Sequence, residues 1–121
     1  MINYRYKGLV TRVVDGDTYD IEVDLGFSVR RKVRFRLYGI NTEEITGPNK
    51  EKGLLIKNRV AELIENKIVV IQSITYDKYG RSVARIWYNQ LDNQLIDLSE
   101  TLIKEGLVHG ERSEIKEPEI S

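Results

Sequence analysis

The sequence predicts a mainly β domain: a five-stranded Greek-key barrel of the OB type, with two or three helices. Two observations carry this. Three runs of alternating apolar and polar residues open the chain, joined by turns too short for crossover connections. A stretch of helical period follows, then two β-branched runs and a second short helical stretch. A parallel βαβ sheet would need longer connections between the opening strands.

Each element has a local reason. Tyr4 to Val14 is rich in aromatic and β-branched residues and reads as a strand. Asp15-Gly16-Asp17 is a turn: aspartate accepts local backbone bonds and glycine takes positive φ. Thr18 to Leu25 alternates, with Tyr19, Ile21, Val23 and Leu25 on one side. Gly26 marks the next hairpin, and Ser28 to Tyr38 is the third strand. In it Val33, Phe35 and Leu37 face one way, and Arg34, Arg36 and Tyr38 the other. Gly47-Pro48-Asn49 breaks the chain. From Glu51 to Glu65 the residues Ile56, Val60, Leu63 and Ile64 fall at helical spacing, and Asn66 stops the helix. Lys67 to Thr75 and Arg81 to Tyr88 are strands around the loop Tyr76 to Gly80, and Trp87 is expected in the core. Asp97 caps a second helix whose apolar face is Leu98, Leu102 and Ile103, ended by Gly106. A domain over residues 1–110 and a polar tail over 111–121 are expected.

Composition narrows the function classes. The 121 residues suit one domain with one core. There is no cysteine, which excludes disulfides, thiolate metal sites and cysteine nucleophiles. No run of about eighteen apolar residues is present, so no membrane span is expected. The opening Met1 to Arg5 lacks the apolar core of a signal peptide, so a cytoplasmic location is expected. Net charge is zero, so the whole chain is no magnet for polyanions. Basic residues nevertheless crowd Arg30 to Arg36, while the last thirty or so residues are mainly acidic. A monomer with no obligate protein partner is expected.

The chemistry concentrates around the end of the third strand. Asp15 and Asp17 sit two apart at a turn, where they either form the turn or offer a carboxylate to a hard divalent cation such as calcium. Asn41 can offer an amide oxygen and Thr42 a backbone carbonyl to a metal. Glu43 and Glu44 either line a solvated loop or supply a general base toward water. The residues alone leave open which of the two does so. Arg34 reads as part of a solvated face. Arg36 and Arg81 come from separate strands and could grip one phosphodiester, since guanidinium matches phosphate in a bidentate fork. Gly80 is expected to lift Arg81 clear of the surface. His109 reads as a surface residue, and Ser99 has no partner for a serine triad.

Three segments in this order resemble the staphylococcal nuclease (thermonuclease) family: Val14-Asp15-Gly16-Asp17-Thr18, Phe35 through Glu44, and Asp77-Lys78-Tyr79-Gly80-Arg81. The resemblance covers about residues 5 to 109. It implies an OB-type barrel and calcium-dependent hydrolysis of DNA and RNA, giving 3′-phosphate ends. By that resemblance Asp17 and the Thr42 carbonyl bind calcium, joined by Asn41 and supported by Asp15. Glu44 is the general base, and Arg36 and Arg81 clamp the phosphate. Tyr79 and Lys78 meet the substrate. Three departures stand out. Asn41 replaces the family's usual second metal-binding aspartate, which predicts weaker calcium binding. Glu43 replaces a proline, and Glu111 to Ser121 holds no counterpart of the tyrosines that face the nucleotide. An endonuclease acting on flexible, single-stranded DNA and RNA is the leading reading. An OB barrel that holds nucleic acid or protein without cutting is the alternative, ahead of a domain with no nucleic-acid role.

Overall fold

The computed structural model describes residues 4–41, 45, 48–89 and 93–110. Six strands and two helices follow in the order β1 (Arg5–Asp15), β2 (Thr18–Asp24), β3 (Arg30–Leu37), α1 (Lys50–Ile64), β4 (Ile68–Tyr76), β5 (Ser82–Asn89), β6 (Leu95–Asp97) and α2 (Leu98–Lys104). The sheet order is β3-β2-β1-β4-β5-β6, and β3 also pairs with β5, in parallel. That last pairing closes the first five strands into the expected barrel, leaving β6 as a short outer edge.

β1 makes closure possible. Its first half pairs with β4 and its second with β2, and irregularities after Val10 and Val13 bend it between them. The inward residues include Val10, Val13, Tyr19, Ile21, Phe35, Leu37, Val69, Ile71 and Ile86, all buried. Burying each such side chain stabilises the fold by roughly 1.5–3 kcal/mol. α1 lays Ile56, Val60 and Ile64 against this core. The Asn49 side chain caps its start by accepting from the Lys52 N–H at 3.1 Å. Asn66 takes φ of 61° just past its end, the left-handed turn that stops the helix. Asp97 caps α2 by accepting from the Glu100 N–H at 3.2 Å.

Four side chains depart from the expected pattern. Leu25 and Ile103 are exposed rather than packed in the core. Trp87 lies half-buried on the outer face of β5, with the Arg5 guanidinium 4.7 Å above its ring, rather than in the core. Arg36 is only 8% exposed, where alternation alone pointed it outward into solvent. β3 is flanked there on both sides, opposite Thr18 of β2 and Val83 of β5, so closure of the barrel buries it. β6 goes beyond the five strands legible in sequence. Residues 111–121 lie outside the described residues. Among the described residues, no helix is long and apolar enough to cross a membrane.

Candidate active site

The β1–β2 turn is the fixed point of the site. A Cβ on Gly16 would stand 2.6 Å from Ile56 Cγ2, so only glycine lets α1 pack this closely on the turn. The buried Tyr19 hydroxyl donates to the Gly16 carbonyl at 2.6 Å. Burial, and then the charge of Asp17, push the Tyr19 phenol well above its usual range, so it stays a donor. The Leu37 N–H donates to the Asp17 carbonyl at 2.8 Å, tying the turn to the end of β3. These contacts leave Asp17 only 1% exposed.

Its carboxylate is incompletely satisfied. Oδ1 accepts from the Thr18 hydroxyl at 3.0 Å. Oδ2 is buried and has no hydrogen-bond partner among the described residues. Burial raises the carboxyl above its ordinary value. The Thr18 hydrogen bond and the nearby Arg81 charge offset this in part, and the Asp15 charge adds to it. A buried unsatisfied acceptor costs roughly 1–3 kcal/mol, more when charged. An incoming cation would relieve that cost. Asp15 itself is exposed at the end of β1, so the two aspartates do not share one environment.

Arg81 reaches the same corner from the β4–β5 loop. Asp77 shapes that loop: its Oδ1 accepts from the N–H groups of Tyr79 and Arg81, each at 2.9 Å. Gly80 supplies the positive φ of 80° that the turn requires. Asp77 Oδ2 accepts from Arg81 Nε at 2.7 Å. Burial opposes ionisation of Asp77, but the Arg81 N–H and guanidinium and the Tyr79 N–H outweigh it and hold the carboxyl below its usual range. Arg81 Nη1 donates to the Thr18 hydroxyl at 2.8 Å. Arg81 is therefore not lifted clear of the surface as expected. It folds back because Asp77 and Thr18 accept from it. Thr18 links the cation to the acid, accepting from Arg81 and donating to Asp17.

The remaining predicted residues divide. Arg36 lies directly across from Thr18 in the β2–β3 register, so it joins this corner. Tyr79 and Lys78 are exposed on the loop. Arg81 Cζ lies 5.5 Å and Lys78 Nζ 5.3 Å from the Tyr79 ring centroid. Asn41 is half-buried, and its N–H donates to the His109 carbonyl at 2.9 Å. This contact, with the Ile40–Gly110 bridge, ties the chain after β3 to the segment after α2. The Ser99 hydroxyl donates to the Tyr38 carbonyl, which gives that serine a structural occupation. Thr42, Glu43 and Glu44 lie outside the described residues. Arg34 makes a two-point ion pair with Asp20 on an exposed face, at 2.8 and 3.0 Å. Among the described residues no three His, Asp or Glu converge on one point. Sequence reasoning gave no role to Thr18 or Asp77. The signal for Asp77 was an aspartate three residues before a glycine, the mark of a side chain that closes its own loop.

Comparison with known proteins finds relatives along most of the chain. A protein of Methanocaldococcus jannaschii described only as uncharacterized is 34% identical over 119 residues, covering 84% of this chain and 57% of its own length. The thermonuclease of Staphylococcus intermedius is 34% identical over 104 residues, covering 82% of this chain and 56% of the relative. The micrococcal nuclease of Shigella flexneri is 27% identical over 106 residues, covering 84% and 56%. The chain thus spans a little over half the length of these curated relatives. Residues 34–119 match the family described as Staphylococcal nuclease homologue. With the closed barrel and the Asp17–Thr18–Arg81 corner in place, that match shows that the chain belongs to the staphylococcal nuclease homologue family.

Proposed function

We propose that this protein is a calcium-dependent endonuclease that hydrolyses phosphodiester bonds of DNA and RNA, favours single strands and leaves 3′-phosphate ends. One observation carries the reading: a buried carboxylate oxygen on Asp17 with no partner, joined through Thr18 to a guanidinium. The printed names of two relatives, micrococcal nuclease and thermonuclease, support it.

The residues present fit a hard cation. Asp17 Oδ2 is an oxygen ligand without a partner among the described residues, and Asn41 and the Thr42 carbonyl would add neutral oxygens from the chain just past β3, the strand whose Leu37 N–H is bonded to the Asp17 carbonyl. Bound calcium would supply Lewis-acid polarisation of a phosphoryl oxygen and make nearby water more acidic. Arg36 and Arg81 hold the phosphate and stabilise the charge that builds on its oxygens. Glu44 takes a proton from the attacking water. The water oxygen bonds to phosphorus, the P–O5′ bond breaks and the departing O5′ takes a proton from solvent, leaving a 3′-phosphate and a 5′-hydroxyl. Tyr79 and Lys78 flank the phosphate, and Asp15 adds negative charge that favours the cation.

The test is cleavage of labelled single-stranded DNA in millimolar calcium, with chelator as the control. Fragments that vanish with chelator, and with Arg81→Ala, are expected. Intact DNA across a wide calcium range would overturn the enzyme. It would leave a barrel that holds a strand without cutting, a reading favoured by Asn41 at the position of the family's usual aspartate and by the zero net charge.

A further inference from the structure

We propose that the groove beside this corner is a second nucleotide subsite, which takes a flexible single strand as it runs away from the scissile phosphate; this rests on the nuclease reading and extends it. The barrel seam creates the groove. β3 pairs with β5 only from Phe35 to Leu37, against Ser82 to Ala84. Arg30 to Arg34 pair with β2 alone, so the two walls part below that point. The gap is a groove of about 380 Å³, within the size range of ligand sites.

Its lining suits a nucleotide chain. Phe35 and Ile71 give it an apolar floor, and Tyr76, exposed, stands at its rim. Arg31 and Lys32 line it and are exposed. They make no ion pair among the described residues, whereas Arg34 beside them is held by Asp20. One end touches Gly80 and Ser82, the two neighbours of Arg81 in the chain. Two exposed cations outside any ion pair among the described residues, beside an aromatic ring in a concave track leading to a phosphate-gripping arginine, fit a polyanion with splayed bases. Phosphates meet the cations and bases stack on the ring. The exposed tip of the β2–β3 hairpin, with Phe27 fully exposed, would instead suit an anionic lipid surface. Concavity and continuity with Arg81 favour the strand.

The experiment compares the full chain with an Arg31→Ala/Lys32→Ala double variant and with Tyr76→Ala. Binding of a labelled oligothymidylate is measured in chelator across salt. Loss of two phosphate contacts lowers the log–log salt slope by about 1.4, at roughly 0.7 per contact on single strands. Tyr76→Ala weakens binding about tenfold. With calcium, the ratio of kcat/KM for the long oligonucleotide to that for a dinucleotide falls about tenfold in the double variant. Unchanged slope and ratio, with the wild type still cutting, overturn the subsite and leave the nuclease reading standing. Equal losses on long and short substrates also overturn it, as general damage. Binding of the wild type to phosphatidylglycerol vesicles that is lost in the double variant, with oligonucleotide binding retained, assigns the patch to membranes instead. A wild type that neither binds nor cuts the strand overturns both readings.

Discussion

Replacing Asp17 with asparagine should stabilise the metal-free protein while abolishing its activity. The native carboxylate is 1% exposed, one of its oxygens has no partner, and burial raises its pKa above the ordinary 3.8. A group whose folded pKa is raised holds more protons folded than unfolded at intermediate pH. Stability therefore falls as pH climbs from about 3.8 toward the folded value, and the loss stays constant above it. Asparagine cannot ionise, so the variant escapes that loss. It keeps an oxygen for the Thr18 hydroxyl. Its amide nitrogen takes the place of the unpartnered oxygen and gains no acceptor, so the gain is that of removing the buried charge alone, on the order of 1 kcal/mol at neutral pH. At about 4 °C per kcal/mol for a domain of this size, that is a rise of several degrees in Tm. Thermal unfolding in chelator at pH 3 and pH 7 measures it. The two proteins should melt together at pH 3 and separate at pH 7. Calcium should then raise the Tm of the wild type only, because a ligand stabilises the state that binds it. A variant less stable than wild type at pH 7 in chelator would refute the reasoning, since the buried charge would then be supporting the fold.

The other expectations are narrower. Arg81→Ala should lose about 10²–10³ in kcat while keeping the barrel, as judged by far-ultraviolet circular dichroism, and Arg81→Lys should rescue little because lysine cannot bridge Asp77 and Thr18 together. Arg36→Ala should also lose activity with the fold preserved; full activity would remove it from the site. Asn41→Asp should tighten calcium binding at least tenfold by calorimetry, since a new charge about 4 Å from a divalent ion is worth up to about 8 kcal/mol at an effective dielectric near 20; unchanged or weaker binding would show that Asn41 is no ligand. Gly16→Ala should destabilise by about 1–3 kcal/mol in urea, because its Cβ would meet Ile56 Cγ2 at 2.6 Å.

The legible part of the molecule is the part written in short-range patterns. Alternation in β1 to β3, β-branched runs in β4 and β5, and turn residues at Gly16, Gly26 and Gly80 set the strands and hairpins. Helical spacing set α1 and α2, with the Asp97 cap marking the start of α2. The order of the three motif segments pointed to the family. A period of two says which residues share a face, but not whether anything covers that face. Leu25, Trp87 and Ile103 look like core residues on that criterion and are not. A three-residue strand such as β6 is too short to carry a period at all.

Local sequence determined that Asp17, Arg36 and Arg81 exist on strand ends and turns that can be brought together. Only tertiary structure decided how they meet. The parallel β3–β5 pairing, between segments nearly fifty residues apart, buries Arg36 and brings Arg81 back toward Thr18. The packing of Ile56 on Gly16 presses the turn inward and leaves one Asp17 oxygen without a partner. Burial and unsatisfied bonding are properties of neighbours in space, and no local pattern of residues encodes them.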